Sequence, residues 1–410
     1  MGSRCLLLLA VLTAALALAG AAIGGTISGQ YIVVVKKGYD GRAVARDHAR
    51  YAGADVLYTY GRALNGYAAR LTPVELAAIR SDSRVAYVSA DRSVHAVAQT
   101  LPTGVNRIQG DVSSTLSGNG SGTVGTPVAV IDTGIDPTHP DLNVIGGYNC
   151  TTGPKTKWAD GNGHGTHVAG TIAAKDDANG VVGMAPGAPL YSVRVLNSAG
   201  SGSWSSVICG INWATSNAAS KGIKVANMSL GGSGSDGACG ADALHQAICN
   251  SVNAGVTYVV AAGNDGANFS GFVPATYSQV LTVTAIADFN GAPGGGAAAT
   301  CRSDVDDTAA DFSNYTTSGS TDASHTIAAP GVCILSTWKG GGYNTISGTS
   351  MASPHVAGTA ALCIWSGACT GTPAQIISKL RSDAAAQPAS YGFTGVSGRY
   401  YGSLAYAGGY

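Results

Sequence analysis

Ser350 stands in the run GTSMASPHVAG at residues 348–358, between small residues and just ahead of a helix-compatible stretch. A serine hydroxyl is a poor nucleophile at neutral pH, and needs a base beside it and room for a substrate to approach. Gly348 permits a sharp turn, Ala352 leaves the approach clear, and Pro354 suits a first helical turn, where its missing N–H is no loss. A helix starting there would favour negative charge on a substrate oxygen. Alone, the run reads far better as a Ser/Thr cap before a buried helix. Three other residues change that balance. Asp132 follows the apolar run VAVI, His164 lies in GNGHGTHVAGT, and Asn264 follows VVAAG. Each by itself is ordinary: a turn acid, a helix cap, a turn amide.

Their placement depends on the elements around them. From Thr126 short apolar runs alternate with helical patterns, the signature of a parallel sheet. Strands are predicted at 128–131, 190–195, 224–228, 257–261 and 280–285, and helices at 164–174, 205–220, 241–253, 350–363 and 373–384. In open α/β sheets ligands gather beyond the carboxyl ends of the strands. Asp132 and Asn264 follow predicted strands, and His164 and Ser350 begin predicted helices, so all four face one crevice. Upstream, QYIVVVK reads as a strand, 43–52 as a helix and 66–71 as a strand. Thr72 then caps a helix with Glu75 at the capping-box position, and 85–88 gives a last strand. That is a small α+β unit of the βαββαβ kind.

The 410 residues carry zero formal net charge with no basic cluster, so neither nucleic acid nor an anionic membrane is an expected partner. The apolar run Leu6–Ala19 is short for a membrane span and ends in Ala-Gly-Ala, which predicts a signal peptide over 1–21, no membrane anchor and a secreted, extracellular product. Cys5 would leave with it. Eight cysteines remain, an even set that implies disulfides in a secreted chain. Cys239–Cys249 and Cys363–Cys369 close short loops and are the first pairs expected. Cys301–Cys333 and Cys150–Cys209 would be left. No C-x-x-C pair favours zinc.

The motifs VAVIDTGID, GHGTHVAGT and GTSMASPHVAG, with SLGG at 229–232 and AAGN at 261–264, closely resemble the subtilisin-like serine proteases from about Gln30 to the C-terminus. The order Asp, His, Ser is the one subtilisin itself displays. The resemblance implies a three-layer α/β fold with a mainly parallel sheet over 98–410. Ahead of it, at 22–97, it implies a ferredoxin-like inhibitory propeptide. It makes Ser350 the nucleophile, His164 the base, Asp132 the group that orients the imidazole, and Asn264 a donor to the oxyanion together with the Ser350 N–H. Ser229, Leu230 and Gly231 would take an extended protein or peptide substrate as an added strand, with Ala261, Ala262 and Gly263 facing it. His167 becomes structural, since the Glu of H-E-x-x-H is missing.

The same resemblance implies a structural calcium ion held by the side chains of Gln99, Asp141 and Asp177 and the backbone carbonyls of Lys175, Asn179 and Val181. No cofactor is expected in the chemistry, and a monomer is expected. The stretch VAYVSADRSVHAV ahead of AQTLPTGV resembles the family's processing junction, placing a self-cleavage at Val97–Ala98. That cut is expected to let Gln99 swing to Asp141 and Asp177. His48 and His95 are expected at the surface. The extra cysteines, an insertion near 290–311 and a lengthened 311–325 segment depart from the bacterial pattern. Asn119, Asn149, Asn268 and Asn314 lie in N-x-S/T sequons, and Asn227 in another expected to be buried. Two competing functions are a catalytically silent binding relative and an esterase. The first needs none of the four site residues, and the second would place its serine before the acid and the histidine.

Overall fold

The computed structural model describes residues 26–92 and 99–410. The expected signal peptide, His95 and the junction Val97–Ala98 lie outside the described residues. The chain divides into two compact units between residues 96 and 97.

The first unit runs β1 (Thr26–Val35), α1 (Gly41–Tyr51), β2 (Asp55–Tyr60), β3 (Gly66–Arg70), α2 (Pro73–Ser81) and β4 (Val85–Arg92). Its antiparallel sheet has the order β2-β3-β1-β4, the ferredoxin-like arrangement. Thr72 and Glu75 form the predicted capping box at the start of α2. Strand β2 escaped the sequence reading, because its partly exposed face at the sheet edge gives little hydrophobic alternation. His48 is a correction. It is buried, with Nδ1 paired to the Tyr67 hydroxyl and Nε2 2.9 Å from Asp82 Oδ2. Helix α1 lays its inner face on the sheet, and those two partners satisfy a ring that could otherwise not be buried.

The second unit begins with α3 (Thr103–Arg107), β5 (Val128–Asp132), β6 (Val144–Asn149), α4 (His164–Ala173), β7 (Leu190–Arg194), α5 (Trp204–Lys221), β8 (Val225–Met228) and β9 (Gly232–Ser233). It continues with α6 (Ala243–Asn253), β10 (Thr257–Ala261), β11 (Phe272–Val273), β12 (Leu281–Ala287), β13 (Thr308–Ala309) and β14 (Thr326–Pro330). It ends with β15 (Ile334–Trp338), β16 (Gly342–Ile346), α7 (Thr349–Trp365) and α8 (Pro373–Ala385). The main sheet has the order β13-β12-β10-β8-β5-β7-β6, with β14 also on β12, and every pairing is parallel except that of β13. Alternate side chains of β5 serve opposite faces: Val128 and Val130 pack with α4 and α7 residues, Ala129 and Ile131 with α5 and α6 residues. Three layers result.

Helix α7 crosses the core. From Thr349 to Cys363 only Ser350 is not fully buried. A Cβ on Gly358 would meet Met184 Cβ at 2.6 Å and the Ile172 carbonyl at 2.9 Å, so glycine is what lets α7 approach its neighbours so closely. The helix starts one residue earlier than predicted, which puts Pro354 beyond the first turn, as its sixth residue. The N–H missing there is the one that would serve the Ser350 carbonyl. That carbonyl is taken instead by the Ser229 hydroxyl, at 2.8 Å.

All four disulfides form as paired above: Cys150–Cys209, Cys239–Cys249, Cys301–Cys333 and Cys363–Cys369. Thiol titration of the denatured, unreduced chain without Cys5 should therefore find about zero thiols, and each bridge should contribute roughly 2–4 kcal/mol. Two or more free thiols would contradict the pairing. Of the sequons, Asn149 and Asn314 are buried and cannot carry a glycan, and Asn227 is buried as expected.

Candidate active site

Asp132 ends β5, fully buried, where the strand delivers it to the carboxyl edge of the sheet. Its Oδ1 accepts from the Thr133 N–H at 2.7 Å and lies 2.8 Å from His164 Nδ1. His164 is the first residue of α4. The preceding Gly163 has φ of 119°, and a Cβ there would meet the Trp338 ring at 2.3 Å, so only glycine serves. Asp160 fastens this turn. Its carboxylate accepts from the N–H groups of Asn162, Gly163 and Thr166 at 2.8, 2.9 and 3.0 Å. It also accepts from the hydroxyls of Thr133 (2.9 Å) and Thr166 (2.6 Å).

Burial pulls the His164 imidazole pKa down. The Asp132 charge and hydrogen bond, with the charge of Asp160, outweigh it and hold the group above its usual value. With Nδ1–H donating to Asp132, Nε2 is left as a proton acceptor, and the ring is about a quarter exposed, at 26%. An imidazole so held can take a proton from a group in the adjoining cavity.

Ser350 sits in the first turn of α7. Its hydroxyl donates to the Ser229 carbonyl at 3.3 Å, and no hydrogen bond joins it to His164. Such contacts are often loose before substrate binds. Ser229 is in turn held by Asn227 Nδ2 at 3.0 Å, and Asn227 Oδ1 accepts from Ser353 at 2.8 Å.

Thr349, which the sequence reading passed over, aims the Asn264 amide. Asn264 Oδ1 accepts from the Thr349 N–H at 2.8 Å and from its hydroxyl at 2.9 Å. Nδ2 has no partner among the described residues. A Cβ on Gly348 would sit 3.5 Å from that Nδ2 and 3.6 Å from the Ser350 nitrogen, with nothing closer. Asn264 Oδ1 follows at 3.7 Å, so the Asn264 amide and the Ser350 nitrogen border one small open space. Asp160 and Thr349 carry no signal of their own in a single sequence, because each acts by orienting a neighbour.

Two cavities adjoin these groups. One of about 660 Å³ is lined by His164, Leu196, Trp204, Val207 and the Ser229–Gly231 backbone, among others. The other, about 320 Å³, is lined by Asn264, Ser350, Ala261, Ala262, Gly263 and Phe272, and shares Leu230 and Gly231 with the first. The residues predicted to meet substrate are thus divided between two cavities that share Leu230 and Gly231.

A second cluster of oxygens lies apart from it. Gln99 Nε2 donates to the carbonyls of Lys175, Asn179 and Val181 at 2.6, 3.2 and 3.1 Å. Gln99 Oε1 and Asp141 Oδ1 are buried without partners. Burial, reinforced by the charge of Asp177, pushes the Asp141 carboxyl up to about 7. Converging carbonyls, an orphaned carboxylate oxygen and a second nearby acid fit a hard cation. One expectation fails here. In the uncut chain Gln99 already lies against this loop, anchored because the next residue, Thr100, donates its N–H to the Gly180 carbonyl at 2.8 Å. No swing after cleavage is needed.

His167 is buried, with Nε2 shared between the carbonyls of Ile334 (3.0 Å) and Asn344 (3.1 Å), and burial lowers it to about 3. It is structural. Cys239, His245 and Cys249 also lie within ligating distance of one another, but the two sulfurs are joined in a disulfide.

Comparison with known proteins agrees with this geometry. Residues 123–400 match the subtilase family, and residues 30–96 match the peptidase inhibitor I9 family. Subtilisin E of Bacillus subtilis (strain 168) is 40% identical over 325 residues, which are 78% of this chain and 76% of that protein. An alkaline protease of Alkalihalobacillus alcalophilus is 42% identical over 293 residues, 71% and 67% respectively. The crystal structure of a cold adapted subtilisin-like serine proteinase superposes with a TM-score of 0.55 and 32% identity, over 74% of this chain and 97% of that one. The chain belongs to the subtilase family of serine endopeptidases and carries its own I9 inhibitor propeptide.

Proposed function

We propose that this serine protease is a secreted monomer made as a self-processing zymogen, and that it hydrolyses peptide bonds through Asp132, His164 and Ser350. The observation that carries the reading is the 2.8 Å contact of Asp132 with His164 Nδ1, which leaves Nε2 as the acceptor on a ring lining a cavity that shares Leu230 and Gly231 with the one lined by Ser350. The extended substrate adds along Ser229–Gly231. Ser350 Oγ attacks the scissile carbonyl carbon while its proton passes to His164 Nε2. Negative charge on the carbonyl oxygen is met by Asn264 Nδ2 and the Ser350 N–H. The imidazolium, stabilised by Asp132, returns the proton to the leaving amine, and an acyl-enzyme remains. Water, activated by the same imidazole, then releases the acid. A catalytically silent relative would not require an amide aimed by two bonds from Thr349. A fluorophosphonate probe tests the reading: labelling should occur on the wild type and vanish in Ser350→Ala. No labelling of the wild type would reject it.

We further propose that Gln99, Asp141 and Asp177, with the carbonyls of Lys175, Asn179 and Val181, hold a structural calcium ion. The ion would neutralise the two carboxylates and tie the chain near Gln99 to the 175–181 loop. Gln99 would present its amide oxygen rather than its nitrogen. Chelation should lower the melting temperature by several degrees with little direct effect on the chemistry. The linkage is roughly 2.7 kcal/mol at a hundredfold excess of ion over its dissociation constant. Asp177→Ala should abolish the calcium-dependent part, and an unchanged melting temperature after complete ion removal would reject the site.

A further inference from the structure

We propose that Phe272 limits the residue preceding the cleaved bond to side chains no larger than valine, so that the chain cuts after Ala, Ser or Val in preference to Phe, Tyr or Lys. The proposal rests on the protease reading above. An acyl carbonyl seated between Asn264 Nδ2 and the Ser350 nitrogen has its own Cα one bond away. That residue's side chain therefore enters the 320 Å³ cavity bordered by the same two residues, and not the 660 Å³ cavity at His164.

The lining of the smaller cavity is rich in glycine and alanine, and its large apolar residues are Leu230, Phe272 and Val273. Val273 is buried and Leu230 stands at the boundary shared with the larger cavity, which leaves the half-buried Phe272 ring as the bulky wall belonging to this cavity alone. The ring lies beside Gly263, the residue before Asn264: a Cβ on Gly263 would be 3.8 Å from Phe272 Cδ1. It is also anchored. The Phe272 backbone pairs with Ser233, and its side chain packs on buried Ala262, Phe269 and Ala275. A ring held by three buried neighbours does not swing aside without leaving a void. The chain's own junction agrees independently, since the residue before the expected cut is Val97. An oversized group in a walled pocket loses roughly tenfold or more in kcat/KM, as even one methylene does in a tight apolar site.

Peptide anilides differing only in their last residue test this on the purified, processed protein. Ala or Val there should exceed Phe, Tyr and Lys by at least about tenfold in kcat/KM. Phe272→Gly should raise the Phe/Ala ratio by about tenfold or more. Wild-type preference for Phe, Tyr or Lys overturns the proposal, as does an unchanged ratio in the variant. Should Phe272→Gly not fold, the wild-type series decides alone. Failure to cleave any anilide, together with no fluorophosphonate labelling, would instead sink the protease reading itself. Labelling with the wrong preference sinks only the role of Phe272.

Discussion

Ser350→Ala should lower kcat by about six orders of magnitude and leave the whole chain uncut at Val97–Ala98. In subtilisin, loss of the serine costs about 2 × 10⁶ in kcat, and what survives, about 10³–10⁴ over water, comes from the oxyanion site and binding. The substitution removes one oxygen, at the one residue between Thr349 and Cys363 that is not fully buried. The fold should therefore tolerate it, although the Ser350 bond to the Ser229 carbonyl goes with it. The maturation outcome follows from the same atom. If the propeptide is cut by its own chain, a protein without that hydroxyl keeps it, attached, in a purified refolding reaction free of other proteases. Efficient processing of the variant under those conditions would defeat self-cleavage and point to an outside protease cutting an exposed linker.

Asp132→Asn should cost about 10⁴ in kcat and also move the pH profile. An asparagine can donate to Nδ1, so the imidazole adopts the tautomer with its proton on the wrong nitrogen; the cost of that change in a Ser-His-Asp enzyme is about 10⁴. The pH effect has a definite sign. His164 acts as base only when neutral, and its pKa is raised by Asp132 and Asp160 against the downward pull of burial. Wild-type kcat/KM should therefore climb through a midpoint above the ordinary imidazole value of about 6.5 and stay high in mild alkali. With Asp132 neutralised, Asp160 alone opposes burial, and the midpoint should fall. An identical midpoint in the variant would show that some other group sets the rising limb.

Much of this site is legible in the residue order, for a physical reason. Asp132, His164 and Asn264 sit where an element begins or follows a short apolar strand, and the strands behind Asp132 and Asn264 are buried on both faces. Such strands leave unbroken runs such as VAVI and YVVA. The helix starts are marked by glycine and small residues. What was not legible depends on contacts far apart in the chain. In the hairpin of β15 and β16, β15 is buried or half-buried throughout and β16 alternates only between half-buried and exposed positions, which gives a weak hydrophobic period over five residues a strand. Thr349 matters only because Asn264 folds against it from 85 residues away. The burial of His48 depends on Tyr67 and Asp82, which local pattern cannot bring to it. The place of Pro354 shows the limit of local rules: proline prefers a first turn, yet here it lies deeper in the helix, with a serine from β8's following loop serving the freed carbonyl.

The cysteines divide the protein's lifetime unevenly. All four bridges lie beyond residue 149, and the sequence has no cysteine between Cys5 and Cys150. The first unit has a small core of about ten buried apolar side chains, a few polar contacts such as those of His48, and no covalent brace. The second is braced at four places. Once the two are severed, they should therefore decay on different clocks. The propeptide is expected to open often enough to be digested, while the disulfide-braced unit should open rarely and persist. Restraint would then be temporary by construction: the duration of an inhibited state would be set by how fast an unbraced domain of some seventy residues unfolds, and transplanting a disulfide into it should lengthen the delay before activity appears.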